Sequence, residues 1–222
     1  MQLEPTLRSQ RSADWTALLR RQAYSNGRWI DAASGDRIDV YNPANGEVVE
    51  SVPNLCIAEL RAAILAAQAS LLAWRRLLPR QRSDYLMHWY KLILEHRDAL
   101  AALMTIEQGK PVSDAAGEIE YGANFVRWFA EEANRLYGEV IPSHLPNRKM
   151  LVQREPLGVV GLVTPWNFPS AMLTRKAAAA LAVGCTVISV PSVQTPFSAL
   201  ALASLAEEAG FPAGVFSVLT GE

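Results

Sequence analysis

The sequence predicts an α/β fold: a partial Rossmann-type parallel sheet with flanking helices, preceded by a small β region and a long-helix segment. Three observations carry this. From Val159 the chain alternates extended apolar runs with helical ones, "VVGLVTPW", "SAMLTRKAAAALAVG", "CTVISVP", "PFSALALASLAEEAGF" and "GVFSVLTG". Two βα units followed by a third strand imply parallel pairing through right-handed crossovers. Residues 24–53 alternate apolar and polar positions between Asn-Gly, Ser-Gly and Asn-Pro punctuation, the pattern of short strands joined by tight turns. From Ile57 the apolar period becomes helical.

Element by element, residues 1–23 read as a ragged lead-in to a short helix. Arg8, Arg11, Arg20 and Arg21 give it a transit-peptide flavour, but Glu4 and Asp14 interrupt the run and no apolar signal core follows. Residues 24–137 form a β and helical part. Within it "IAELRAAILAAQASLLAW" places Leu60, Ile64, Leu71 and Trp74 near one helix face, and Pro79 ends the connection that follows. A second helix is expected over 80–103 and a third over 113–137, with Ser113 and Asp114 suited to N-cap positions. Between them "EQGKP" (107–111) reads as a helix stop, a Gly C-cap with Pro two residues on. Residues 138–158, with three prolines and alternation over 150–153, form an extended arm or exposed hairpin. Residues 159–222 are the βαβαβ unit. Its near-continuous apolar strand 186–190 implies helices on both sheet faces, and ligands bind such sheets at the carboxyl ends of the strands.

Composition narrows the partners. Half of the 222 residues are hydrophobic, and 21 basic against 22 acidic residues leave a net charge of −1. No broad field therefore attracts nucleic acid or an anionic membrane. No stretch approaches the roughly 20 apolar residues of a membrane span. Cys56 and Cys185 stand in unlike contexts, which fits neither a disulfide framework nor a metal cluster and matches a reducing cytoplasm. His88, His96 and His144 form no ligand pattern, so no metal is expected.

"NPANGE" (42–47), "EQGKP" (107–111), "TPWNFP" (164–169) and "GFPAGVFSVLTG" (210–221), in this order, resemble the N-terminal part of an aldehyde dehydrogenase, most closely bacterial succinate-semialdehyde dehydrogenases. The likeness runs from about residue 14 to the end. It implies oxidation of an aldehyde with NAD or NADP. A cysteine thiolate attacks the aldehyde, an asparagine amide stabilises the oxyanion, and a glutamate activates water. Asn167 matches the oxyanion donor. Thr164, Pro165, Trp166 and Asn167 fall where the family touches the nicotinamide side of the cofactor; Trp166 reads equally as a buried anchor under the turn. Lys176 matches a lysine facing the catalytic pocket, and by sequence alone reads as a solvated or paired charge. Arg127 falls in a segment that lines the substrate tunnel in relatives, with a surface charge as the equal alternative.

Two departures qualify the resemblance. Where relatives carry a lysine at the end of the second strand, and a polar residue soon after, to hold the adenosine ribose or 2′-phosphate, this chain has Val190 and Val193. A charge-assisted contact is worth about 1.5–3 kcal/mol, so its loss weakens cofactor binding by roughly one to two orders of magnitude. Ser192 and Gln194 are the replacements at hand, whereas Ser189 is out of register and faces the other side of a regular strand. Second, the family's catalytic cysteine, its Glu-Leu-Gly-Gly glutamate and its pyrophosphate-binding turn lie downstream of the third strand. Cys185, in "AVGCTV", reads as a buried structural thiol.

The resulting expectation is a truncated NAD(P)-dependent aldehyde dehydrogenase, inactive by itself. The alternative is a non-catalytic remnant or partner-binding protein that co-assembles with a full-length relative. The family is homo-oligomeric, and the strand that its arm pairs with is expected to be missing here. Unpaired strand edges and bare apolar faces should follow.

Overall fold

The computed structural model describes residues 14–222. Arg8, Arg11 and Glu4 of the lead-in lie outside the described residues. At its end a 3-10 turn, Trp15–Leu18, is capped by Asp14, whose carboxylate accepts the Thr16 N–H at 3.1 Å.

Strands β1 (Ala23–Ser25) and β2 (Arg28–Ile30) form a hairpin through Asn26 and Gly27, both at positive φ. Strands β3 (Arg37–Tyr41) and β4 (Val48–Pro53) form a second hairpin of their own. Helix α1 (Ile57–Trp74) follows, capped by the Cys56 sulfur and the Glu59 carboxylate. By length and composition α1 is apolar enough to cross a bilayer, contrary to the sequence expectation that no stretch is. It packs instead on the sheet, burying Ala63, Ala67 and Trp74.

The expected second helix is two. A break at His96 separates α2 (Pro79–Glu95) from α3 (Arg97–Gln108), which ends at a left-handed Gly109, as "EQGKP" predicts. Helix α4 (Val112–Glu132) is capped by Pro111 rather than by Ser113 or Asp114. Pro111, with φ −51° and ψ 140°, leaves its carbonyl free to take the N–H groups of Asp114 and Ala115, so the helix starts before either side chain can cap it. The helix stops short of Tyr137, unwinding into a 3-10 turn at Ala133–Arg135. Strands β5 (Glu139–Pro142) and β6 (Lys149–Val152) make the expected hairpin, with Val140 and Leu151 about 70% exposed.

The βαβαβ unit comprises β7 (Val159–Thr164), α5 (Ala171–Val183), β8 (Thr186–Pro191), α6 (Pro196–Glu208) and β9 (Phe216–Val218). β7, β8 and β9 are parallel, and β1 adds to β9 antiparallel, giving the order β2-β1-β9-β8-β7. The small β region thus supplies two strands to the main sheet.

Residues alternate across that sheet. Leu162, Val187, Phe216 and Val218 join the large core with α2 to α6, around Trp74, Trp89 and Phe211. Ile188, Leu219 and Ala23 face α1, with Val159 and Val190 at the margin. Both faces of β8 are covered, as its apolar run predicts. β7 is not: α1 leaves Gly161 and Val163 open, Val163 being 77% exposed beside a groove lined by Leu60, Ile64 and Leu71. Of the predicted α1 face, Trp74 is fully buried, Leu60 and Ile64 are half-buried against the cluster around Ile188, and Leu71 lines the groove. The reason is the strand order. β7 is the sheet edge, and α1 lies mainly over its neighbour β8 on that side.

Candidate functional site

The carboxyl ends of β7 and β8 meet at the turn 165–170. The Ser192 N–H donates to the Thr164 carbonyl (3.0 Å), so the two strand ends are tied together beyond the last ladder pair. Pro165 and Pro169 restrict the turn, which leads directly into α5.

Helix α5 has no side-chain cap of its own at Ser170. The cap comes from α4. Glu118, with its side chain 1% exposed, accepts the N–H groups of Ser170 and Ala171 through Oε1, at 3.0 and 3.1 Å. An anion at a helix N-terminus satisfies orphan donors and meets the positive end of the macrodipole. Its other oxygen pairs with Lys110 Nζ. Lys110 also donates to the Asn167 carbonyl (3.0 Å) and lies 4.0 Å from the Phe168 ring centroid, within cation–π range. One lysine and one glutamate therefore hold the backbone at 167, 170 and 171. The Asn167 carboxamide is left exposed, with no protein partner among the described residues.

α6 repeats the device. Thr195 makes no side-chain cap, and buried Glu107, the first residue of "EQGKP", accepts the Phe197 and Ser198 N–H groups at 2.7 Å each. Burial pushes the Glu107 carboxyl up to about 7, although hydrogen bonds from Ser198 and Phe197 hold it back.

Trp166, half exposed, and Gln194 are brought together with Val193, Tyr41 and Glu107 around a cleft of about 510 Å³. Thr164 is buried and its hydroxyl has no protein partner among the described residues. The Ser192 hydroxyl is engaged locally, accepting the Gln194 N–H at 3.3 Å. Val190 points to the α1 side with Ile188, lining the open groove, whereas Ser189 is fully buried on the opposite face.

Lys176, like its neighbour Arg175, is half-buried on α5 and makes no hydrogen bond or ion pair among the described residues. Arg127 is not brought to the turn. It is exposed, 4.0 Å from Glu131 and over the Tyr90 ring of α2, and nine residues from Glu118 places it on the opposite side of α4. Cys185 is buried, and the Cys56 sulfur accepts the Ala58 N–H at the start of α1. No group of three or more potential metal ligands occurs among the described residues.

Residues 29–222 match the model of the aldehyde dehydrogenase family. This chain belongs to the aldehyde dehydrogenase family. Among curated relatives, the glutarate-semialdehyde dehydrogenase of Pseudomonas aeruginosa is 56% identical over 92% of this chain and 42% of its own length. The NADP(+) succinate-semialdehyde dehydrogenase GabD of Escherichia coli is 55% identical over the same shares. The chain thus spans about two fifths of the length of these aldehyde dehydrogenases, matching their N-terminal portion. Among solved structures, an Escherichia coli NADP-dependent enzyme superposes with a TM-score of 0.92 at 55% identity, over 93% of this chain and 43% of that one. The betaine aldehyde dehydrogenase of Staphylococcus aureus in complex with NAD+ gives 0.91 at 32% identity, over 94% and 42%. The fold is that of an aldehyde dehydrogenase, and the half-buried Lys110 with buried Glu118 and Glu107 are what sequence reasoning missed at its strand-end turn. The signal was present in "EQGKP", where the Gly-Pro stop masked the two charged residues beside it.

Proposed function

We propose that this chain is the oxyanion-donor and nicotinamide-side portion of an NAD(P)-dependent aldehyde dehydrogenase that converts a semialdehyde, such as succinate semialdehyde, to its acid. The observation that carries this is the Asn167 turn. Its carbonyl and the adjoining N–H groups are held by Lys110 and Glu118, while its carboxamide stays free at the carboxyl end of a parallel sheet. When a nucleophile adds to an aldehyde, negative charge develops on the carbonyl oxygen. N–H donors close to that oxygen stabilise the charge. Asn167 Nδ2 is the donor here, carried on a backbone that Lys110 and Glu118 hold in place.

The cofactor supplies a hydride acceptor. Trp166 and the backbone of Thr164 and Pro165 would hold its nicotinamide side, and the cleft that Trp166 borders is large enough for a ring. The fit fails at the other end, because Val190 and Val193 offer neither charge nor side-chain hydrogen bond. Neither cysteine serves as nucleophile: Cys185 is buried and Cys56 caps a helix. Turnover then requires a thiolate and a base from polypeptide other than these 222 residues.

Val190 supports a second reading, a partner-binding remnant with weakened cofactor affinity. Calorimetric titration with NAD+ and NADP+ tests both. The unaltered chain should bind weakly or not at all, and Val190→Lys should tighten binding by roughly ten- to a hundredfold. Mixed with either cofactor and succinate semialdehyde, the chain alone should form no reduced nicotinamide. Sustained reduction refutes the need for an outside nucleophile, and sub-micromolar binding by the unaltered chain refutes the reading of Val190.

A further inference from the structure

At the far end of α5, about 20 Å from the Asn167 turn by helix rise, lies a second cleft, of about 590 Å³. Its walls are the α1–α2 connection (Arg75, Leu77), Arg82 in the first turn of α2, the base of the β5–β6 hairpin with the extended segment after it (Glu139, Arg154, Glu155, Pro156), and Val183. Arg82 is 5% exposed. It donates Nε to the Ala182 carbonyl (2.9 Å) and Nη1 to the Leu77 carbonyl, and no carboxylate pairs with it among the described residues. Burial lowers its pKa, as expected of a cation without a counterion.

The groups converge on Gly184, whose φ is 100°. A methyl placed there would lie 3.4 Å from Arg75 Cα, 3.6 Å from Arg82 Cζ and 3.6 Å from Pro156 Cγ. Glu155 is engaged by Arg75 at 3.3 Å, and Arg154 makes no ion pair among the described residues. Three guanidinium groups against the two carboxylates of Glu139 and Glu155 leave the lining net positive.

A guanidinium has five N–H donors in a planar fork, and two of those of Arg82 are spent on carbonyls. A buried charge left unpaired is costly, and an oxyanion placed against the remaining edge would relieve it. We propose that this cleft is a binding site for a phosphate-type oxyanion, anchored by Arg82 and assisted by Arg154.

The test titrates the full chain with inorganic phosphate at constant ionic strength, with sodium chloride as balance. The readouts are the unfolding midpoint and the width of the phosphorus resonance. Phosphate should raise the midpoint and broaden the resonance. Arg154→Gln, an exposed change that leaves the core alone, should weaken the response several-fold. Glu155→Gln, which releases Arg75 from its partner, should strengthen it several-fold. Arg82→Met should abolish it; if that variant does not fold, the other two decide. Adenosine monophosphate binding more tightly than phosphate would identify a phosphate ester as the source, and weaker binding the free anion; either fits the proposal. A phosphate response equal to that of chloride, or one that neither Arg154→Gln nor Glu155→Gln alters, overturns it and leaves Arg82 as a cap on the α5 carbonyls.

Discussion

Replacing Lys110 by Met removes the ammonium group from the strand-end turn while keeping most of the side-chain volume. Glu118 remains, its side chain 1% exposed and without a counterion. Breaking a buried pair by removing one partner costs about 3–5 kcal/mol. Part of this is offset here, because the orphaned carboxylate keeps the Ser170 and Ala171 N–H groups and the positive end of α5, together worth about 1–2 kcal/mol. The net expectation is about 1–4 kcal/mol, or a fall of about 2–16 °C in Tm for a chain of this size. Thermal and urea unfolding of the full chain measure it. A double-mutant cycle with Glu118→Gln separates the pair from its surroundings. The substituted carboxamide still offers an oxygen to the α5 N-terminus but no longer needs the ammonium, so the double variant should be less damaged than the sum, with a coupling of about 1–3 kcal/mol. Strict additivity, or a Lys110→Met midpoint within a degree of the parent, would refute the claim that these two residues hold the turn.

The remaining predictions concern the same helices. Glu107 is raised by burial to about 7 from an ordinary value near 4.5, so the native state binds its proton more tightly than the unfolded state. Its contribution is full below about 4.5 and is lost as pH rises through about 7, amounting to about 3 kcal/mol. Glu107→Gln should flatten that part of the stability–pH curve, and an unchanged slope between pH 4.5 and 7 would contradict the burial argument. Gly122 lets α4 approach α5: a methyl there would sit 2.8 Å from Thr174 Oγ1 and 3.3 Å from Ala171 Cα. Gly122→Ala should destabilise by about 1–3 kcal/mol. Gly117→Ala on the open side of the same helix, with nothing within 4 Å, should stabilise by about 0.5–1 kcal/mol. Equal effects at the two glycines, read by urea unfolding, would refute the close-approach reading.

The βαβαβ unit was legible because its strands and helices each obey one period over enough residues, and because Gly184 marks the end of α5 where a left-handed residue is needed. Three features were not. The break at His96 carries no Gly or Pro, so nothing local signals two helices instead of one. The addition of β1 to β9 rests on a pairing between residues nearly 200 positions apart, of which a three-residue strand carries no trace. The caps of α5 and α6 come from Glu118 and Glu107 on other helices, so no pattern around Ser170 or Thr195 could reveal them. Within the site, the turn residues 164–169 were readable as a motif. Lys110 was not, because its partners are a backbone carbonyl, a ring and a carboxylate brought together only by folding.

That difference bears on what the two halves of the site report. Glu118 and Glu107 cap helices whose buried faces form much of the core, and Lys110 is the counterion of Glu118, so substituting them exposes the fold to a loss of several kcal/mol whether or not any substrate binds. The geometry around Asn167 would thus persist under selection for stability alone. Val190 is different: it lines the open groove at the end of β8, and a lysine there could run its stem along the groove and place its charge in water at little structural cost. Stability neither requires the valine nor forbids the lysine. The residue at 190 therefore responds mainly to what binds at the strand end, which makes Val190→Lys a test of binding almost free of folding.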